Sequence, residues 1–132
     1  MKVPRSIPQA VLAVFASVLI LLTLGLQSAA WAQTAGDFRS NATGNWNATA
    51  TWQRYDGSNW VAAVATPTSA DGAITIRNGH TVTISANGLS YDQVTVDAGG
   101  QVTVASTITS ALANGAGTDL TINGTWLNSG RH

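Results

Sequence analysis

Short apolar–Thr–apolar segments separated by a glycine repeat along this chain. Residues 74–84, ITIRNGHTVTI, align with residues 94–104, VTVDAGGQVTV, so that their apolar triplets and central glycines coincide. In each apolar–Thr–apolar triplet, the side-chain period of two places the apolar pair on one face and the Thr on the other. β-Branched residues favour such a pleated backbone. The repeat therefore predicts an all-β fold.

A third copy of the pattern follows at residues 120–127, LTINGTWL, after a longer interval than the one that separates the first two copies. The longer interval contains a predicted loop of small residues at 110–117. Within the third copy, we expect one residue fewer before the second strand than in the first two copies. A unit of about 20 residues with two strands and a glycine corner is typical of one coil of a solenoid. The spacing thus predicts a right-handed parallel β-helix.

A local signal points to an alternative fold. Asn78-Gly79 lies between two alternating strands, and this dipeptide is a strong hairpin signal. Hairpins would give an antiparallel β-meander or sandwich. The constant length of whole units favours the β-helix, because stacking requires equal units and a meander does not.

The N-terminus has the three parts of a signal peptide. Lys2 and Arg5 form a positive region, residues 10–26 are uncharged and apolar, and Ala30-Trp31-Ala32 offers the small-x-small pattern of a cleavage site. We therefore predict a signal helix in residues 1–32 that is removed after Ala32, with an uncleaved anchor as the alternative. The mature protein is expected to be secreted or at the cell surface, and to meet the membrane only through the signal segment during export.

Beyond the signal, composition divides the chain into two parts. Residues 33–70 are rich in Trp, Asn and Thr and are predicted to form an N-terminal cap, whereas residues 71–132 carry the solenoid repeats. The third repeat shows no polar capping unit after it, so we expect the chain to be the N-terminal fragment of a larger protein or a truncated reading frame.

Charge and cysteine content exclude several classes of function. Residues 33–132 contain four Arg, six Asp, no Lys and no Glu, a formal charge of −2. Nucleic-acid binding requires clustered Lys and Arg and is not expected. The absence of Cys excludes disulfides, thiol chemistry and thiolate metal sites.

Together these motifs resemble a known architecture. Residues 44–52, GNWNATATW, followed by Pro67, Asp71 and the GHTVTI segment at 79–84, resemble the N-terminal module of bacterial β-helical surface proteins of the autotransporter and adhesin type. The resemblance covers residues 44–104 and continues loosely to Gly130. It implies a β-helix with an adhesive, matrix or cell-surface role, and it brings no catalytic motif.

Aromatic residues near the N-terminus are the candidates for ligand binding. Trp46, Trp52 and Trp60 lie close together in the sequence, with Tyr55 among them. Flat aromatic faces could stack on glycans. The structural alternative is that these rings cover the apolar end of the solenoid. Trp126, in the third repeat, is expected to face the core.

Other residue types offer little for catalysis or metal binding. His80 stands beside a turn glycine without a second His nearby, and the six Asp residues form no calcium-loop motif. Asp92 and Asp97 could form a carboxylate pair only at a defined separation. We therefore expect no catalytic residue, no cofactor and no metal, and a structural or adhesive module whose partners are glycans or other surface proteins. The alternatives are a carbohydrate-binding module and the non-catalytic start of a β-helical polysaccharide-degrading enzyme.

Overall fold

The computed structural model describes residues 32–129 of the chain. The predicted signal helix, residues 1–32, lies outside the described residues except for Ala32, and residues 130–132 lie outside them as well. The chain divides into two units, Met1–Ala32 and Gln33–His132, and the fold belongs to the second.

Short strands make up most of the regular structure in the described residues. They are β1 (Phe38–Ser40), β2 (Gly44–Asn45), β3 (Trp52–Tyr55), β4 (Trp60–Ala62), β5 (Ile74–Ile76), β6 (Thr81–Ile84), β7 (Leu89–Tyr91), β8 (Val94–Val96), β9 (Gln101–Val104), β10 (Ser110–Leu112), β11 (Leu120–Ile122) and β12 (Thr125–Asn128), with one 3-10 turn at Thr49–Thr51. The prediction of an all-β chain is confirmed.

The strands form three sheets that the chain visits in turn. The orders are β11-β8-β5-β1-β3-β4, β12-β9-β6-β2 and β10-β7. Pairing is parallel everywhere except where β3 joins β1 and β4 joins β3, which are antiparallel. The strands therefore lie in four tiers. The first tier is β1 and β2, the second is β5 to β7, the third is β8 to β10, and the fourth is β11 and β12.

Successive tiers pair in register. The strands β5 and β6 pair with β8 and β9 as the sequence alignment predicts, with Ile74 opposite Val94. In the next pair of tiers, Val94 lies opposite Leu120 and Gln101 lies opposite Thr125. The fourth tier is thus two residues shorter between its strands than the third. The prediction that the third copy has one residue fewer before its second strand was therefore wrong.

Glycines at the corner between the two larger sheets permit this tight turn. A Cβ on Gly124 would lie within clashing distance of the carbonyl oxygen of Asp97, and a Cβ on Gly100 would lie 2.8 Å from that of Ile76. Both distances are shorter than a side chain tolerates. The backbone of each tier therefore passes directly over the corner of the tier before it, and only glycine fits there.

The turn at Asn78-Gly79 does not form a hairpin. The flanking strands β5 and β6 lie in different sheets and do not pair with each other. Gly79 has a φ of +80°, and its N–H donates to the carbonyl oxygen of Gly99 in the next tier at 3.0 Å. The turn is therefore a corner between sheets. Among the described residues, antiparallel pairing is confined to β1, β3 and β4.

Alternate residues of the repeat strands fill the core between the sheets. All of these aliphatic side chains are at most 5% exposed: Ile74, Ile76, Val82, Ile84, Val94, Val96, Val102 and Val104. Burying one such side chain contributes about 1.5–3 kcal/mol. The Thr residues between them face outward, as the two-residue period predicts.

Aromatic rings continue the core towards the first tier. The ring centroids of Trp46 and Trp52 lie 5.0 Å apart, and those of Trp46 and Tyr91 lie 4.9 Å apart. Phe38 meets Trp52 edge-on at 6.4 Å. At this end the six-stranded sheet continues antiparallel through β3 and β4, and Trp52 of the ring cluster belongs to β3.

Candidate functional site

Two of the three candidate tryptophans lie in the core. Trp46 is 0% exposed and Trp52 is 1% exposed. The indole N–H of Trp46 donates to the carbonyl oxygen of Pro67 at 3.0 Å, and that of Trp52 donates to the carbonyl oxygen of Trp46 at 2.7 Å. Neither ring has an exposed face on which a sugar could stack. Of the three candidate tryptophans, only Trp60 could therefore stack on a glycan.

Trp60 belongs to a partly exposed group on the outer face of the six-stranded sheet, which we call the hairpin patch: Arg39, Gln53, Tyr55 and Trp60. The guanidinium of Arg39 lies 4.4 Å from the Trp60 ring centroid, and its Nε donates to Oε1 of Gln53 at 2.9 Å. The Tyr55 ring lies 5.2 Å from that of Trp60. A cation–π contact thus covers part of the Trp60 ring. A sugar would have to share this patch with the guanidinium.

Positive charge gathers beside the hairpin patch. Partial burial, and then the nearby Arg77, lower the pKa of Arg39. Both effects disfavour the charged form of a guanidinium. The part of the patch around Arg39 therefore suits hydroxyl or acidic groups of a ligand better than cationic groups.

A buried serine joins the first tier to the second. The Oγ of Ser40 lies 2.8 Å from Nδ1 of His80 and accepts a hydrogen bond from the backbone N–H of Arg77 at 2.9 Å. Serine and histidine are the residue types of a nucleophile and its base. Ser40, however, is 0% exposed. The pair is therefore placed to connect strands and not to reach a substrate.

The structure does not bring Asp92 and Asp97 together. They flank β8 on opposite sides, and a three-residue strand is roughly 10 Å long. Asp92 is buried and accepts a hydrogen bond from the N–H of Gln93 at 2.8 Å. Within residues 32–129, no group of three or more His, Asp, Glu or Cys side chains is placed to hold a metal ion.

Asp56 and Asp119 differ in their hydrogen bonding. Asp56 accepts hydrogen bonds from the backbone N–H groups of Asn59 at 2.7 Å and Ser58 at 2.8 Å, and these bonds lower its pKa. It therefore closes the turn between β3 and β4, as its sequence context predicts. The Oδ1 atom of Asp119 is buried without a hydrogen-bond partner in the described part of the chain.

Rows of uncharged polar side chains run along the outer faces of the two larger sheets. One row is Thr75, Thr95 and Thr121. The other is Asn45, Thr83 and Thr103. Members of a row are spaced by the distance between strands, about 4.8 Å. Each row thus presents regularly spaced side-chain hydroxyl or amide groups on a pleated surface.

Sequence reasoning missed Ser40 and the strand that carries it. The triplet Phe38-Arg39-Ser40 lacks the apolar–Thr–apolar pattern, yet Phe38 and Ser40 are buried and Arg39 is not. The alternation of large apolar, charged and small residues was the available signal. It is too short to distinguish a strand from a loop.

Comparison with known proteins gives no relative for this arrangement. No family model, no curated protein and no solved structure matches the chain. Among residues 32–129, no helix is both long and apolar enough to cross a bilayer.

Proposed function

We propose that this chain is an exported structural or adhesive module, and that its tiers are the coils of a right-handed β-solenoid. Export rests on the signal-like N-terminus, with its positive residues, apolar run and Ala-x-Ala site. The solenoid rests on the sequential visits of the chain to three sheets and on the parallel register between tiers. The resemblance to the N-terminal module of autotransporter and adhesin-type surface proteins points the same way.

The observation that carries the functional proposal is the pair of outer polar rows. Thr75, Thr95 and Thr121 repeat one chemical group at a constant interval on a surface without charge between them. Such a surface suits contact with an extended, repetitive partner, since many weak contacts add through multivalency. Extended neutral polysaccharides and similar solenoids are partners of this kind.

Attachment of cells that display the full chain tests the proposal. We expect them to bind a polysaccharide-coated surface in larger numbers than cells carrying the Val96→Asp variant, because an Asp among buried side chains should unfold the tiers. The triple variant Thr75→Val, Thr95→Val and Thr121→Val keeps β-branched side chains and removes the hydroxyls, so attachment should fall several-fold. Attachment that does not differ between the original chain and Val96→Asp would contradict the proposal, as would turnover of the polysaccharide.

A carbohydrate-binding module is the second candidate, and the hairpin patch is the observation that favours it. Trp60 and Tyr55 are partly exposed beside the polar groups of Gln53 and Arg39. If this patch binds sugar, Trp60→Ala should abolish binding to a soluble oligosaccharide while the circular dichroism spectrum is unchanged. Binding that survives Trp60→Ala would remove this candidate. The non-catalytic start of a polysaccharide-degrading enzyme stays a third alternative, compatible with the same fold.

A further inference from the structure

Side chains on the outer face of the six-stranded sheet form one row that crosses all of its strands. The pairing places Arg39 opposite Thr75 on one side and opposite Gln53 on the other. The row of three threonines described above continues from Thr75, and Ala62 follows Gln53 on β4. The hairpin patch is therefore continuous with the threonine row, and Arg39 lies where the two meet.

The side chain of Arg39 extends across the hairpin and is held there by two contacts. Its strand is two strands away from that of Trp60, which corresponds to roughly 10 Å between backbones. The guanidinium lies 4.4 Å from the Trp60 ring centroid, and Nε donates to Oε1 of Gln53 at 2.9 Å. A guanidinium has five N–H donors, and the bond to Gln53 uses one of them. The two Nη atoms carry the other four, in a planar arrangement that matches a carboxylate.

Carboxylates are absent from the strands that carry this face. The strands that the structure describes in this sheet contain no Asp and no Glu. Asp37, two residues before Arg39, accepts hydrogen bonds from the backbone N–H groups of Thr34 at 2.8 Å and Ala73 at 2.9 Å. Asp97 follows β8, which lies on the far side of β5 from β1. Among the described residues, the contacts of the Arg39 guanidinium are thus an aromatic ring and an amide.

A second guanidinium lies beside the patch. Arg77 is exposed and follows Thr75 by two residues, and its backbone N–H donates to the buried Oγ of Ser40 at 2.9 Å. This bond fixes the Arg77 backbone next to β1. Burial, and then the charge of Arg77, lower the pKa of Arg39. An anionic ligand group at Arg39 would therefore offset a repulsion between two cations.

We propose that the hairpin patch binds sugars that carry a carboxylate, the hexuronate residues of an acidic polysaccharide. The Arg39 guanidinium pairs with the carboxylate, the Trp60 ring stacks on an apolar face of the pyranose, and Gln53 binds a hydroxyl group. This inference rests on the carbohydrate-binding candidate described above and specifies its class of ligand.

The chemistry of the patch favours a charged sugar over a neutral one. The Arg39 guanidinium and the Trp60 ring are close enough to contact one sugar residue together. A neutral sugar could use the ring and the amide of Gln53, but it would leave both guanidinium groups without a counter-charge. A carboxylate on the sugar supplies that charge and accepts two parallel hydrogen bonds from one guanidinium.

A glucuronate tetrasaccharide and its methyl ester are the two probes, because they have the same rings and differ only in charge. The full chain is titrated with each probe, and binding is followed by isothermal titration calorimetry. We expect the acid to bind at least tenfold more tightly than the ester. Arg39→Gln should remove this preference without weakening the ester, since the Trp60 ring is then uncovered. Arg77→Gln should reduce the preference at least twofold.

Arg54→Gln is the matched control, because it removes the same charge from the other face of the hairpin. Arg54 lies on β3 between Gln53 and Tyr55, so its side chain points to the opposite side of the strand. Its replacement should change the preference for the acid less than twofold. Circular dichroism of each variant checks that the fold is intact. Equal losses of preference in Arg39→Gln and Arg54→Gln would show that net charge and not the patch binds the acid, which would overturn the proposal.

The remaining outcomes separate this inference from the proposed functions. Equal affinity for acid and ester, with both lost in Trp60→Ala, would overturn the acidic ligand and leave the patch as a site for neutral sugars. If neither probe binds, the inference and the carbohydrate-binding candidate both fail, whereas attachment of displayed cells would still support the adhesive module. A sulfated glucose tetrasaccharide that binds more tightly than the glucuronate, and only when Arg39 is present, would show that the recognised anion is a sulfate and that the carboxylate assignment is wrong.

Discussion

Single residues link the first tier to the rest of the stack, and Ser40 is the clearest case. Its Oγ satisfies the backbone N–H of Arg77 and pairs with Nδ1 of His80 at a buried position. When one partner of a buried hydrogen bond is removed, the other partner stays out of contact with water and without a bond, which lowers the free energy of unfolding. The Ser40 hydroxyl is therefore expected to contribute to the stability of the first tier, beside the backbone pairing of β1 with β5 and of β2 with β6.

Ser40→Ala should lower the free energy of unfolding by about 1–3 kcal/mol, because it leaves the Arg77 N–H without an acceptor. Urea denaturation followed by circular dichroism measures this change. Ser58→Ala, in the exposed turn between β3 and β4, is the control and should change stability by less than about 0.5 kcal/mol. Equal effects of the two substitutions would show that the Ser40 contacts do not stabilise the fold.

The loss of stability on replacing a tryptophan should depend on how deeply its ring is buried. Trp46→Ala is expected to destabilise the chain by about 3–5 kcal/mol, since it empties a core position and leaves the Pro67 carbonyl oxygen without its donor. Trp60→Ala removes a partly exposed ring and should cost far less. Thermal unfolding of both variants checks the difference. A larger loss for Trp60→Ala would contradict the placement of these rings.

At the scale of elements, the glycine corners set the length of each tier. Gly124→Ala should destabilise or displace β12, because its Cβ would clash with the carbonyl oxygens of Asp97 and Gly100. Thr125→Ala, one residue later on the exposed face, is the matched control and should be mild. Amide hydrogen exchange of residues 125–128 reports the effect directly. Unchanged protection in Gly124→Ala would mean that the corner is looser than the structure shows.

The repeat strands should respond differently on their two faces. Val96→Asp places a carboxylate among buried side chains and should cost several kcal/mol, comparable with the stability of a small domain. Thr95→Asp places the same group on the outer face of β8 and should be much milder. Urea midpoints of the two variants make the comparison. Similar midpoints would reject the assignment of inner and outer faces.

Strands could be predicted from the sequence where the apolar–Thr–apolar pattern is present. Strands β5, β6, β8, β9 and β11 carry apolar–Thr–apolar triplets and were predicted at their observed positions. Strands β7 and β10 were missed because Leu89-Ser90-Tyr91 and Ser110-Ala111-Leu112 are short and lack β-branched residues. Their pairing depends on the tiers around them, and this tertiary effect is invisible to local pattern.

The candidate site was less predictable for the same reason. Trp46, Trp52 and Trp60 are equivalent by composition, and only the packed structure separates two core rings from one partly exposed ring. The contact between Ser40 and His80 joins residues that are far apart in sequence. Such a long-range pairing follows from the parallel register of the first two tiers, which no local motif encodes.

At the scale of the whole molecule, the predicted signal peptide can be tested by its cleavage. N-terminal sequencing of exported protein should begin at Gln33, because Ala30-Trp31-Ala32 matches the cleavage pattern. Exported protein that still begins with the residues around Lys2 and Arg5 would show that the segment is retained as an anchor.

Successive tiers pair in parallel and in register, and cysteine trapping tests this arrangement. The chain has no native Cys, so an introduced pair reports only on itself. Thr75 and Thr95 are paired on adjacent parallel strands, whose spacing of about 4.8 Å lies within the range for a disulfide. Oxidation of the Thr75→Cys/Thr95→Cys variant should therefore form an intramolecular disulfide in high yield. A hairpin centred on Asn78-Gly79 would instead place Thr75 opposite Val82. A disulfide in Thr75→Cys/Val82→Cys, with none in Thr75→Cys/Thr95→Cys, would contradict the stacked fold.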